Sequence, residues 1–286
     1  MSPPGRPKGE YRSAQHEGTP VSTLRVSVQG IGLLGPGLAS WAAARDALRD
    51  GLPHASAPTL LPPPARLPPA ERRRAGAAVK LALAVADEAV AHARIDPGTL
   101  ATVFTSSSGE GTHCHALCET LATPAPLVSP TRFTNSVHNA ASGCWHIAVA
   151  SRAASTSLCA FDGSFGAGLI EAATSVCTSD MPVLLVASDS PYPEPLHATR
   201  PLPDHFGVAL LLAPASSAEA LAELTIELVG PEEAASACDD LSLDAVRRAI
   251  PAAAALPLLT ALARGRAPQR IVLAYLADLR LRIDIE

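Results

Sequence analysis

Short unbroken apolar runs alternate with longer stretches of helical periodicity along most of the chain. MPVLLVAS (181–188) and FGVALLLA (206–213) carry no polar interruption, which predicts strands buried on both faces. Leu24–Val28 and Leu100–Ser106 read as further strands, and Ser157–Phe161 as another. Helices are predicted at Trp41–Arg49, Ala70–Ala93, around His115–Leu121, at Asn139–Arg152 and at Gly163–Ser179. This order predicts an α/β fold, a mixed sheet covered by helices on both sides. The last part of the chain differs. In LRLRIDIE, Leu279, Leu281, Ile283 and Ile285 alternate with charged residues, the pattern of a strand with one wet face. Paired with Gln269–Tyr275 it predicts a hairpin turning at Ala277-Asp278, after a Leu241–Ala263 helical stretch broken at Pro251 and Pro257.

Punctuation divides the chain. Residues 1–22 are rich in Pro, Gly and polar side chains, which predicts a disordered tail. The Pro-rich 51–69 stretch predicts an extended surface loop. Residues 23–214 read as one α/β domain, and 215–286 as a helix-and-hairpin segment packed on the same core.

Composition narrows the function. Hydrophobic residues make up 48% of the 286, yet aromatics are only 3%, so helices are expected to pack closely on the sheet. Net charge is −5 and the only basic run is Arg72-Arg73-Arg74, which argues against nucleic-acid binding. No apolar run reaches spanning length without a charge or Pro, and the N-terminus lacks a signal-like apolar core. Six Cys with no disulfide-like spacing fit reduced thiols in a cytoplasmic protein.

Several chemical motifs are weak. Gly30-x-Gly32-x-x-Gly35 lacks the acidic residue that a dinucleotide fold places about 20 positions on, so tight-turn geometry is the better account of these glycines. His113-Cys114-His115 with Cys118 has no second ligand pair at zinc spacing. Neither a cofactor nor a metal is expected.

The stretch LCAFDGSFGAG (158–168) is more informative. A strand runs into Asp162-Gly163 and a new helix, a turn that aims a side chain at a helix N-terminus. Enzymes seat nucleophiles there; here the residue is Asp162, expected to act as the helix N-cap. Cys159 reads as a small core thiol. Ser164 falls inside the helix, so the stretch makes only half of a G-x-S-x-G elbow.

Taken together, VSVQGIGLLGPG, SPTRF with the following Asn139, RAASTSLCAFDGSFGAGLIEA and RPLPDHFGVALLLA resemble, in order and spacing, the N-terminal half of β-ketoacyl synthases. These are thiolase-fold condensing enzymes of fatty-acid and polyketide synthesis, and the likeness covers about residues 24–214. An ungapped placement sets Asp162 where the family has its nucleophilic Cys. The family's second half carries two His and a Lys, whereas no His follows Pro214 here. The resemblance therefore implies a chain-length-factor type of subunit, as in aryl-polyene-type clusters. Such a subunit pairs with a catalytic ketosynthase and meets acyl carrier protein through that complex. It also implies an interface or acyl-tunnel role for Phe133, Thr134, His138, Asn139, Cys159, Phe161 and Ser164. Two other readings stay open: an acyltransferase, hydrolase or decarboxylase using Ser164 or Cys159, and a homodimeric scaffold.

Overall fold

The computed structural model describes residues 23–265 and 268–286; the N-terminal tail of residues 1–22 lies outside the described residues. Eight strands form one sheet: β1 (Leu24–Leu34), β2 (Ala101–Thr105), β3 (Ser155–Leu158), β4 (Val183–Asp189), β5 (Phe206–Pro214), β6 (Ala222–Val229), β7 (Gln269–Leu276) and β8 (Leu279–Ile285). Their order is β3-β2-β4-β5-β1-β6-β8-β7. β3, β2 and β4 run parallel, and every other neighbouring pair is antiparallel.

Five helices precede the middle of the chain: α1 (Trp41–Asp50), α2 (Pro69–Arg74), α3 (Ala77–Ala93), α4 (Gly111–Leu121) and α5 (Pro130–Asn135). α6 (Ala140–Val149), α7 (Ser164–Ser179), α8 (Leu196–Thr199), α9 (Leu241–Ala249) and α10 (Leu256–Arg264) follow. The unbroken apolar strands have a simple cause. In β4, Leu184 and Val186 face α3 and α6, while Val183, Leu185 and Ala187 face the layer of α7, α1, α9 and α10. β5 divides in the same way, with Ala209 and Leu211 on one side and Val208, Leu210 and Leu212 on the other. A strand covered on both faces has no wet side to make polar.

β1 is longer than the sequence pattern predicts. Gly30 and Gly32 lie within the strand rather than in a turn. A β-carbon at either would collide with the α3 backbone at the carbonyls of Ala89 and Val85. These glycines therefore let a helix lie directly on the strand. β6 pairs with β1 only as far as Val28, and the register with β5 shifts between Val28 and Gly30. Beyond that point α3 supplies the missing acceptors. Ile31 N–H donates to His92 Nδ1 (3.2 Å) and Leu33 N–H to Glu88 Oε2 (2.9 Å). The same Glu88 accepts from Trp41 and Ala42, satisfying free amides at the start of α1.

The predicted Ala70–Ala93 helix is two helices, broken at Ala75-Gly76. Gly76 takes an extended conformation, and a side chain there would run into Glu110 (2.6 Å to Oε2) and His113 (2.9 Å to Cε1). The C-terminal hairpin forms at its predicted register and extends the same sheet, with Leu281, Ile283 and Ile285 in the core.

Candidate functional site

The turn between β3 and α7 is built differently from its sequence expectation. β3 is Ser155–Leu158, two to three residues earlier than predicted, and a 3₁₀ turn spans Phe161–Gly163. The strand cannot continue because Phe161 takes φ +52°, a left-handed conformation costly for an aromatic residue. Ser164 holds the turn closed. Its hydroxyl accepts from Ala160 N–H (3.0 Å) and faces the carbonyls of Ser106 (2.9 Å) and Phe161 (2.7 Å). Ser164 is fully buried. Its lone pairs and proton are committed to the backbone.

Asp162 is not the N-cap. The cap position belongs to Gly163, with no side-chain hydrogen bond, and the Asp162 carboxylate turns outward, 71% exposed. It meets the Arg200 guanidinium instead (2.5 Å). Arg200 in turn lies 3.5 Å above the Phe161 ring and 5.8 Å from that of Tyr192. Phe161 itself is 62% exposed. On the other side the hairpin presses in: a β-carbon on Gly163 would sit 2.8 Å from the Tyr275 carbonyl oxygen, and one on Gly166 2.9 Å from the Tyr275 ring. The spacing of glycines in GSFGAG signals a close approach, but nothing in the sequence names Tyr275, Tyr192 or Arg200 as the neighbours.

Behind the turn sits a buried carboxylate. Asp189 is the buried end of β4 and accepts from the amides of Ser107 (2.7 Å) and Ala252 (2.8 Å). Burial pushes its pKa up, against the pull of those hydrogen bonds. Tyr192 Oη reaches Ser107 Oγ at 3.0 Å, so the 106–110 loop is pinned from two directions.

Other predicted residues gather nearby in part. Cys159 is exposed rather than buried, because it follows the strand instead of lying in it; its sulfur is 4.0 Å from Ser106 Oγ. His138 and Leu158 share a cavity of about 20 Å³ with Ser106, Gly109 and Glu110, room for one water. Phe133 and Thr134 lie exposed on α5, and Asn139 is exposed just before α6. Apolar side chains stand out along the same stretch: Leu127, Val128, Phe133 and Val137. Glu110 is only 4% exposed, and its Oε2 has no hydrogen-bond partner. Burial raises its pKa, with His113 (3.5 Å) pulling the other way.

The two sheet edges are treated differently. On β7, the Ser236 amide donates to the Val272 carbonyl (2.7 Å) and Ser236 Oγ accepts from Val272 N–H (3.0 Å), which covers that edge. Among the described residues the β3 backbone pairs with β2 alone. Among them too, no group of three or more His, Cys, Asp and Glu side chains could hold a metal, and no helix is long and apolar enough to cross a membrane.

This sheet, its two helical layers and the strand–turn–helix at Phe161 are those of the thiolase-like ketosynthase fold, built essentially on its N-terminal half. A family model described as "Beta-ketoacyl synthase, N-terminal domain" matches residues 40–266, and the chain belongs to that family. No curated protein matches the sequence. Among solved structures, the chain is similar to one in the complex of the ketosynthase ApeO with its chain length factor ApeC from Xenorhabdus doucetiae. The identity is 24%, the TM-score 0.70, and the match covers 91% of this chain and 99% of that one. The ishigamide ketosynthase/chain length factor gives 14%, 0.70, 92% and 99%. The AntDE:AntF complex, a type II polyketide synthase acyl-carrier protein with its ketosynthase, gives 12%, 0.71, 93% and 99%.

Proposed function

We propose that this chain is a ketosynthase-like subunit without a nucleophile of its own, a chain length factor that pairs with a catalytic β-ketoacyl-ACP synthase in the cytoplasm. The observation that carries the reading is the β3–α7 turn. The family placement sets Asp162 at the nucleophile's seat, and the strained backbone lies one residue earlier, at Phe161. On either register the seat holds no thiol. A phenyl ring under Arg200 and a carboxylate tied to the same guanidinium cannot hold an acyl chain as a thioester.

Two further observations support a partner. The similar chains in the three complexes are spanned to 99% by 91–93% of this one, so they are about as short as it is. A bacillaene synthase ketosynthase is spanned to only 46%. The bare β3 edge, with exposed Val137 near Leu158 and exposed Phe161 just beyond the strand, offers a strand and an apolar surface that an unpartnered chain would be costly to leave open. In this reading the acyl tunnel runs along that face past Phe133, Thr134, His138, Asn139 and Phe161, and the acyl carrier protein is met through the complex. The products are of the fatty-acid or polyketide type, the sequence resemblance pointing to aryl-polyene-like chains.

A second reading is kept by one observation: Cys159 is an exposed thiol beside the turn. Incubation of the chain, with and without a catalytic ketosynthase, with an acyl-carrier thioester separates the two by mass spectrometry. The proposal expects acylation of the ketosynthase only. An acyl adduct on Cys159 makes the chain an enzyme in its own right.

A further inference from the structure

α4 is held loosely and carries two thiols on one face. None of its residues is buried, its first turn has no side-chain cap, and its 11 residues are fewer than an isolated helix needs to persist. Cys114 and Cys118 are both exposed and lie four residues apart on α4, neighbours on one helical face; partial burial and the Cys118 thiol beside it raise the pKa of Cys114. The other described cysteines lack this arrangement. Cys144 and Cys238 are half-buried, and burial pushes their pKa values up to about 11. Cys159 and Cys177 are exposed, but their sulfurs face the Ser106 hydroxyl (4.0 Å) and the Arg25 carbonyl (3.5 Å).

We propose that Cys114 and Cys118 form a redox modification site, an intrahelical dithiol that closes to a disulfide and opens α4 as it does so. Residues four apart on a helix hold their β-carbons about 5–6 Å apart, whereas a disulfide needs about 3.5–4.5 Å. The bridge and the intact helical turn are therefore incompatible. In a buried helix the core would resist; α4 has no core contacts to lose.

The oxidant is a small-molecule disulfide such as glutathione disulfide. The Cys118 thiolate attacks one sulfur of the oxidant, forming a mixed disulfide and expelling one glutathione thiolate. The Cys114 thiolate then attacks the Cys118 sulfur and expels the second. The two protein thiols lose two electrons and two protons, and two molecules of glutathione carry them away. α4 packs against α5, which bears Phe133. Where the proposed partnership holds, oxidation also weakens partner binding, a consequence that rests on that reading.

The test is oxidation of the full chain with glutathione disulfide, followed by peptide mass spectrometry and far-UV circular dichroism. The expected result is a peptide spanning 114–118 that has lost two hydrogens, with a loss of helical signal about the size of one short helix, both reversed by dithiothreitol. In C114S, Cys118 instead retains the glutathione adduct and the helical signal stays. A wild-type chain that keeps glutathione on Cys118, or that bridges with its helical signal intact, overturns the proposal. Loss of partner binding without the bridge counts against it as well. A bridge that forms and opens α4 while partner binding is absent in both redox states counts against the partnership alone.

Discussion

The Arg200 guanidinium lies over the Phe161 ring, 3.5 Å from its centre, at the turn between β3 and α7. The same group meets Asp162. One cation thus contacts both residues of the turn.

The two contacts differ in strength. Asp162 is largely exposed, and ion pairs of that kind contribute about 0–1 kcal/mol. Arg200 is mostly covered over an aromatic face, where about 0.5–2 kcal/mol is expected. Double-mutant cycles by urea unfolding should give a larger coupling for F161A/R200A than for D162A/R200A. The reverse order would mean that the ion pair, not the stacking, organises the turn.

G32A should destabilise the chain by about 3 kcal/mol or more, because a methyl group has no space against the α3 backbone and overpacking of this kind is costly. G51A is the control: a methyl there meets nothing, and only the strain of its φ of +66° opposes it, about 1 kcal/mol. Equal effects in thermal denaturation would contradict the close approach of α3 to β1.

Much of this fold was legible because it rests on periodicity. The hairpin register at Leu279–Ile285 and the buried β4 and β5 follow from alternation and from its absence. What escaped depends on neighbours distant in sequence. Gly30 and Gly32 read as turn residues because nothing local announces a helix lying on the strand. The apolar run LCAF read as strand, yet Phe161 is turned into left-handed backbone and Cys159 out to solvent. Asp162 read as an N-cap because its partner, Arg200, is 38 residues away. Glu110 drew no notice, because its burial and its fit against Gly76 are set by packing alone.

Glu110 gives a signed pH dependence. Its pKa is raised from 4.5 by burial, so the stability its protonated form contributes is complete below 4.5 and is lost as pH rises through the elevated value. E110Q keeps the neutral form at every pH. Its melting temperature relative to wild type should therefore climb between pH 4.5 and 8, reaching an advantage of about 1 kcal/mol, the scale of an unpaired buried polar group. A falling difference would mean that the His113 ion pair outweighs the burial.

D189N tests the pinning of the 106–110 loop. Aspartate accepts from both Ser107 and Ala252, whereas an asparagine must present its NH₂ to one of these amides. A loss of about 2 kcal/mol is expected in chemical denaturation. An unchanged midpoint would show that the two amides find other acceptors.

F161A and F133A should each weaken binding of a catalytic ketosynthase about tenfold or more, the loss seen when an exposed aromatic that an interface would cover is removed. L241A, on another exposed leucine, should leave it unchanged. Equal losses in all three by titration calorimetry would point to general destabilisation.

On the proposed function, this chain works as one half of a pair whose chemistry belongs to the other half. Native mass spectrometry of the chain co-expressed with a catalytic ketosynthase tests it most directly. The predicted result is a one-to-one complex that, given an acyl-carrier thioester, gains an acyl group on the ketosynthase and none on this chain. A chain that stays monomeric or self-paired beside the ketosynthase, or that takes the acyl group itself, would contradict it.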